Sequence, residues 1–206
     1  MRRLTTVLTL VALLLCLGRG MPDEQRETGL NDQGFITTWL LLAAIPLAEN
    51  QNGADALDKE QIKDEAKLEP KAGDKIKVGD AELVWKEYKA KDYFFDFNDF
   101  LGRETEDSVG YAVCYVRAPA ERKGVKLKIG SDDQAVVYLN GTEVVKHDEA
   151  RALEKDQNTA DVTLRKGVNV LVFKVVNEKV DWSGCARFTT STAQIIKNLK
   201  VTTTPK

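Results

Sequence analysis

The sequence predicts an all-β protein, an antiparallel jelly-roll β-sandwich with one short helix near residues 54–65. Three observations carry this. From residue 81 onward, apolar and polar side chains alternate with period two, as in Val125, Leu127 and Ile129 set between Lys126 and Lys128. Asn140-Gly141 lies between two apolar runs, and both central residues of a type I′ hairpin turn need positive φ. Short strands punctuated by turn residues continue to the end, with no helical period after residue 65.

Taken in order, residues 1–20 read as a secretory signal peptide. Arg2 and Arg3 precede the apolar run Val7 to Leu17, and Gly18-Arg19-Gly20 places small residues before a cleavage near Gly20. That run is too short to span a bilayer, which takes about twenty residues. Leu15 precedes Cys16 where lipidation wants a small residue. Residues 21–34 are polar and aperiodic and read as a flexible leader, so the folded domain is expected over 35–204. Phe35 to Leu42, centred on Trp39, reads as a buried strand that Pro46 and Glu49 terminate. Residues 50–80 are charged and broken by Gly53, Pro70, Gly73 and Gly79, with the short helix near their start.

Ala81 to Trp85 and Tyr93 to Phe97 follow as short strands, with 98–102 as a turn. Val109 to Val116 is apolar on both faces, as in a central strand. Residues 130–133 form a turn, Ala135 to Leu139 and Thr142 to Val145 pair across Asn140-Gly141, and 162–164 and 168–176 pair across 165–167. In the last of these, Leu171, Phe173 and Val175 are assigned to the core, and Lys174 is taken to mark a face that reaches solvent. Residues 186–188 and 195–201 supply the last strands.

A chain of 206 residues predicts one domain. The whole sequence has 30 basic and 32 acidic residues. Removing Arg2, Arg3 and Arg19 leaves 27 against 32, a formal charge of -5. Without a basic excess, no nucleic-acid partner is expected. The mature chain offers no second membrane span. One His and three Cys exclude a Cys/His zinc cluster and leave little for a His-based triad. Cys114 and Cys185 remain after export. Either they form a disulfide, which an oxidising compartment permits, or they are buried thiols acting as small hydrophobes.

Residues 130–145, Gly-Ser-Asp-Asp-Gln-Ala-Val-Val-Tyr-Leu-Asn-Gly-Thr-Glu-Val-Val, together with the strand–turn–strand of 162–177, resemble the core of galactose-binding-like jelly-roll domains. These include the sugar-binding domain of glycoside hydrolase family two and related accessory modules of exported, planctomycete-type bacterial proteins. The opening Trp39-Leu40-Leu41-Leu42 is similar to theirs, although Ala43-Ala44-Ile45-Pro46 stands where such modules often have Gly-Pro-Phe. The resemblance implies a secreted or periplasmic, non-catalytic carbohydrate-binding or accessory module. Its partner would be a polysaccharide or glycan, and it would act with or beside a larger carbohydrate-active enzyme or envelope protein. A structural or protein-interaction domain of the cell envelope is the alternative, and a small hydrolase the second alternative.

Sugars stack their apolar faces on exposed aromatic rings. Trp182, in the polar stretch Asp181-Trp182-Ser183-Gly184, is the candidate platform, with a Trp capping the end of the sandwich as the competing reading. Asp156 and Gln157, in a charged connector, are the candidate polar contacts. Asp132 and Asp133 are either a structural calcium site, since calcium takes oxygen ligands, or turn residues that bond backbone N–H groups. His147 reads as a solvent-facing residue at a strand end. The 32 acids carry no pair singled out as the two carboxylates of a glycosidase.

Overall fold

The computed structural model describes residues 29–205. The candidate signal peptide lies outside them. The chain forms an antiparallel β-sandwich, as the period-two pattern requires. The strands are β1 (Thr38–Pro46), β2 (Lys75–Val78), β3 (Ala81–Val84), β4 (Lys86–Lys89), β5 (Phe95–Asp96), β6 (Ser108–Ala118), β7 (Arg122–Asp132), β8 (Ala135–Leu139), β9 (Thr142–His147), β10 (Asn158–Leu164), β11 (Gly167–Asn177), β12 (Ser183–Thr190) and β13 (Lys200–Thr202). Two short helices, α1 (Gly53–Asp58) and α2 (Phe97–Leu101), and a 3-10 turn at Glu65–Lys67 complete it. The larger sheet runs β4-β1-β6-β11-β8-β9, with β13 also on β6; the smaller runs β10-β7-β12-β5; β2 and β3 form a separate hairpin.

Period two sets the layers. Trp39, Leu41, Ala112, Cys114, Val116, Leu171, Phe173 and Val175 face inward from the larger sheet. They meet Leu127, Ile129, Ala186 and Phe188 of the smaller one. The opposite face of the larger sheet is equally apolar. Leu40, Leu42, Tyr111, Val113, Tyr115, Val172 and Val176 pack against Ala56, Leu57, Ile62 and Trp85. Residues 47–85 therefore fold back as a third layer, and β6 and β11 are apolar on both sides because both sides are buried.

This corrects the reading of Lys174. Its neighbours on the strand do line the inter-sheet core, but its own face never reaches water, and its side chain is 0% exposed. Nζ donates to the carbonyls of Leu57 (3.1 Å) and Lys59 (2.7 Å) and to both Glu65 oxygens at 3.1 Å. Tyr111 and Tyr138 hydroxyls and the Gln61 N–H also donate to Glu65. A buried charge is tolerable only when paired and hydrogen-bonded, and here the pair fastens the third layer to the sheet.

Other elements differ in detail. The short helix is two pieces, Gly53–Asp58 and the 3-10 turn Glu65–Lys67. Of residues 98–102, read as a turn, 98–101 belong to α2, which Asp96 caps by accepting from Asp99 N, and Gly102 is its C-cap. The last part of the supposed leader is ordered: Gly29 is buried, Leu30 bridges Ile36, and Asn31 Oδ1 accepts from Gln33 N and Phe35 N. The Asn140-Gly141 turn is as expected, with φ of 54° and 82°.

Candidate functional site

The candidate residues gather at one end of the sandwich, where β7 meets β8, β11 meets β12, and the connector 148–157 crosses. The structure gives them other work. Trp182 is 1% exposed. Its ring lies 4.4 Å from the Phe97 ring, and Nε1 donates to Val175 O at 3.3 Å. It plugs the end of the core, so it is no sugar platform. The polar neighbours Asp181 and Ser183 suggested a wet loop, but the ring turns inward where an apolar gap awaits it.

Asp156 and Gln157, the candidate polar contacts, are engaged within the protein. Asp156 Oδ1 accepts from Arg187 Nε at 2.9 Å and Oδ2 from Arg187 and from Lys128 at 3.3 Å. Burial opposes ionisation of Asp156, yet these cations hold its carboxyl below the usual range. Gln157 Oε1 accepts from Ser131 N at 3.1 Å, and Nε2 donates to Ala152 O at 2.9 Å. Both side chains tie the connector onto the smaller sheet. The connector passes so close that a Cβ on Gly130 would stand 1.9 Å from Glu154 O, which explains the glycine.

Asp132 and Asp133 act as loop fasteners. Asp133 accepts from Arg151 N (3.2 Å) and Glu178 N (2.9 Å), and Asp132 from Leu153 N at 3.3 Å. Burial, then the neighbouring Asp133 charge, raises Asp132 to about 6. Three of the four carboxylate oxygens are thus taken by backbone donors. Among the described residues, no group of three or more His, Cys, Asp or Glu assembles to hold a metal.

Cys114 and Cys185 are not bridged: both are free and buried. Cys114 faces the inter-sheet core, whereas Cys185 faces the connector, with Sγ 3.9 Å from Glu154 O. They lie on opposite sheets with different surroundings, so a disulfide between them has no geometry here. Burial pushes the Cys185 thiol up to about 12 and Cys114 well above its usual value. His147 is half-buried, and its Nε2 has no partner; burial and then the Arg151 charge lower its pKa.

An open concavity lies instead at the other end of β11. This cleft of about 340 Å³ is lined by Lys67, Glu69, Asn140, Gly141 and Arg165 around a floor that includes Tyr115, Val168 and Val170. Three tight turns build it. The 3-10 turn supplies Lys67, the β8–β9 hairpin supplies Asn140 and Gly141, and the β10–β11 turn supplies Arg165. Asn169 braces two of them. Its Oδ1 accepts from Asn140 Nδ2 (3.0 Å) and Arg165 N (2.8 Å), and its Nδ2 donates to Arg165 O at 2.9 Å. Asn140 Oδ1 in turn accepts from Val170 N. Tyr115 is fully buried and donates to Pro70 O at 2.6 Å, which holds the third layer against the wall. The arrangement offers amide, guanidinium, ammonium and carboxylate groups around a half-buried valine floor.

No protein-family model matches this sequence, and no curated protein does. Among solved structures, the PA14 domain of the MpAFP antifreeze protein is similar with a TM-score of 0.47 at 13% identity, over 82% of this chain and 94% of that chain. Among the described residues, no helix is long and apolar enough to cross a membrane.

Proposed function

We propose that this protein is an exported, non-catalytic carbohydrate-binding module whose ligand lies in the cleft between Lys67, Asn140 and Arg165. One observation carries the reading: a pre-formed concave site whose polar groups are fixed by turns braced through Asn169, around an apolar floor. Pockets for small ligands have this make-up, a few placed polar groups over apolar surface. The planar amide and guanidinium suit hydroxyl and ring oxygens, and Val168 and Val170 suit the apolar face of a sugar.

A protein-docking domain would present a contiguous exposed apolar patch. Among the described residues, Val180 is the large apolar side chain that stands exposed, at 61%. This favours the glycan reading over the envelope-interaction one. Catalysis is not part of the proposal. Lys174 and the tyrosines on Glu65, whose charged forms burial disfavours, are engaged in fastening the third layer. The resemblance of residues 130–145 to galactose-binding-like domains agrees with this reading.

The test is retention of residues 21–206 on a panel of soluble and insoluble polysaccharides by affinity electrophoresis and pull-down. Val168→Trp, which fills the cleft floor, accompanies the wild type. Retention that Val168→Trp abolishes supports the proposal. No retention on any glycan overturns it in favour of the envelope-interaction domain.

A further inference from the structure

We propose that the cleft selects an acidic saccharide, one carrying a uronate carboxylate. This rests on the carbohydrate-binding reading above and names its ligand class. Lys67 and Arg165 are exposed side chains that line the cleft from different turns. No hydrogen bond, ion pair or ring contact engages either head group among the described residues. By contrast, Lys75, Lys91, Lys126, Lys128, Lys146, Lys174 and Arg187 each sit on a carboxylate. Lys67 and Arg165 thus bring two uncommitted cations from separate turns to one concavity.

Charge balance sharpens this. The cleft holds two cations against the single acid Glu69, in a chain whose formal charge is -2. A small positive concavity on an acidic protein repels nothing anionic that enters it, while the surrounding surface disfavours indiscriminate polyanion binding. Position favours a carboxylate over a hydroxyl. Arg presents a fork that meets a carboxylate through two parallel hydrogen bonds, and Lys adds a point charge from another wall. The Lys67 stem is itself placed, because its Cγ lies 3.3 Å from where a Cβ on Gly141 would stand. The hairpin tip therefore lies against the Lys67 stem. A sugar ring on Val168 and Val170 would share the cleft with both cations.

The experiment compares retention of residues 21–206 on polygalacturonate and on the same polymer after reduction of its carboxyl groups. It is run at about 50 mM and about 500 mM NaCl, since exposed charges separated by more than about 10 Å are already screened at 0.1 M salt. Arg165→Gln and Lys67→Gln are measured beside Lys179→Gln, an exposed cation at the far end of β11. The expected result is retention on polygalacturonate only. Each cleft substitution should weaken it about tenfold, the worth of one charged hydrogen-bond set. High salt should weaken it too, and Lys179→Gln should not. Because both cleft side chains are exposed, unchanged melting temperatures will show that the variants fold. Equal retention on the reduced polymer overturns the acidic-ligand inference but keeps the carbohydrate reading. Loss on every polysaccharide of the panel overturns both. Equal loss in Lys179→Gln means diffuse charge and also overturns the inference.

Discussion

Replacing Lys174 with Met removes the cation that joins the third layer to the larger sheet. The native ammonium is fully buried and donates to two carbonyls and to both Glu65 oxygens. Met fills the same stem volume and leaves the Glu65 carboxylate, only 6% exposed, with three neutral donors and no counter-charge. Breaking a buried pair by removing one partner costs about 3–5 kcal/mol, because the remaining charge stays desolvated. At about 2–4 °C per kcal/mol for a domain of this size, the melting temperature should fall by about 6–20 °C. Glu65→Gln in the Lys174→Met background removes the stranded charge and keeps an acceptor. The double variant should therefore recover at least about 2 kcal/mol relative to Lys174→Met alone. Urea unfolding of the single and double variants measures both values. Limited proteolysis of Lys174→Met should cut first within residues 47–80, since that layer loses its fastening. A loss below about 1 kcal/mol, or no recovery in the double variant, would refute the argument.

Three further outcomes follow from the same contacts. Trp182→Ala should cost about 3–5 kcal/mol through lost burial and the cavity left against Phe97, read as a fall in the urea midpoint; an unchanged midpoint would mean the ring is not core. Ellman titration of residues 21–206 should find no reactive thiol in the native state and two on unfolding without reductant, as two buried, unbridged cysteines require; no thiol on unfolding would indicate a disulfide. Asp132, raised to about 6 from 3.8, binds a proton more readily folded than unfolded. Its contribution is therefore fully present below about pH 4 and lost as pH rises through about 6. Asp132→Asn should gain stability relative to the wild type between pH 4.5 and pH 7.5, and a difference independent of pH would exclude that carboxyl.

Much of the sandwich is legible locally because strand alternation and the Asn140-Gly141 turn depend only on neighbours. Phe173 and Leu127 declare their face through the residues beside them. Lys174 does not, since its partner Glu65 stands 109 positions earlier. A lone lysine in an apolar strand reads as exposed unless the covering layer is known, and residues 47–80 give no strong period of their own. Trp182 misleads for a related reason: its polar neighbours describe the loop and not the direction of the ring. The cleft was invisible because Lys67, Asn140 and Arg165 come from three distant turns. The usable signals were two turn motifs, Asn140-Gly141 and Arg165-Lys166-Gly167, with Asn169 near the start of β11, where only a brace explains a buried amide.

The most direct test of the binding site is a ¹H–¹⁵N NMR titration of residues 21–206 with a galacturonate oligosaccharide. The proposed cleft predicts saturable shifts concentrated at Asn140, Gly141, Arg165, Val168 and Val170, with the Asp132–Gln134 turn and Asp156–Gln157 unmoved. Shifts centred on those latter residues, or none at millimolar ligand, would contradict it.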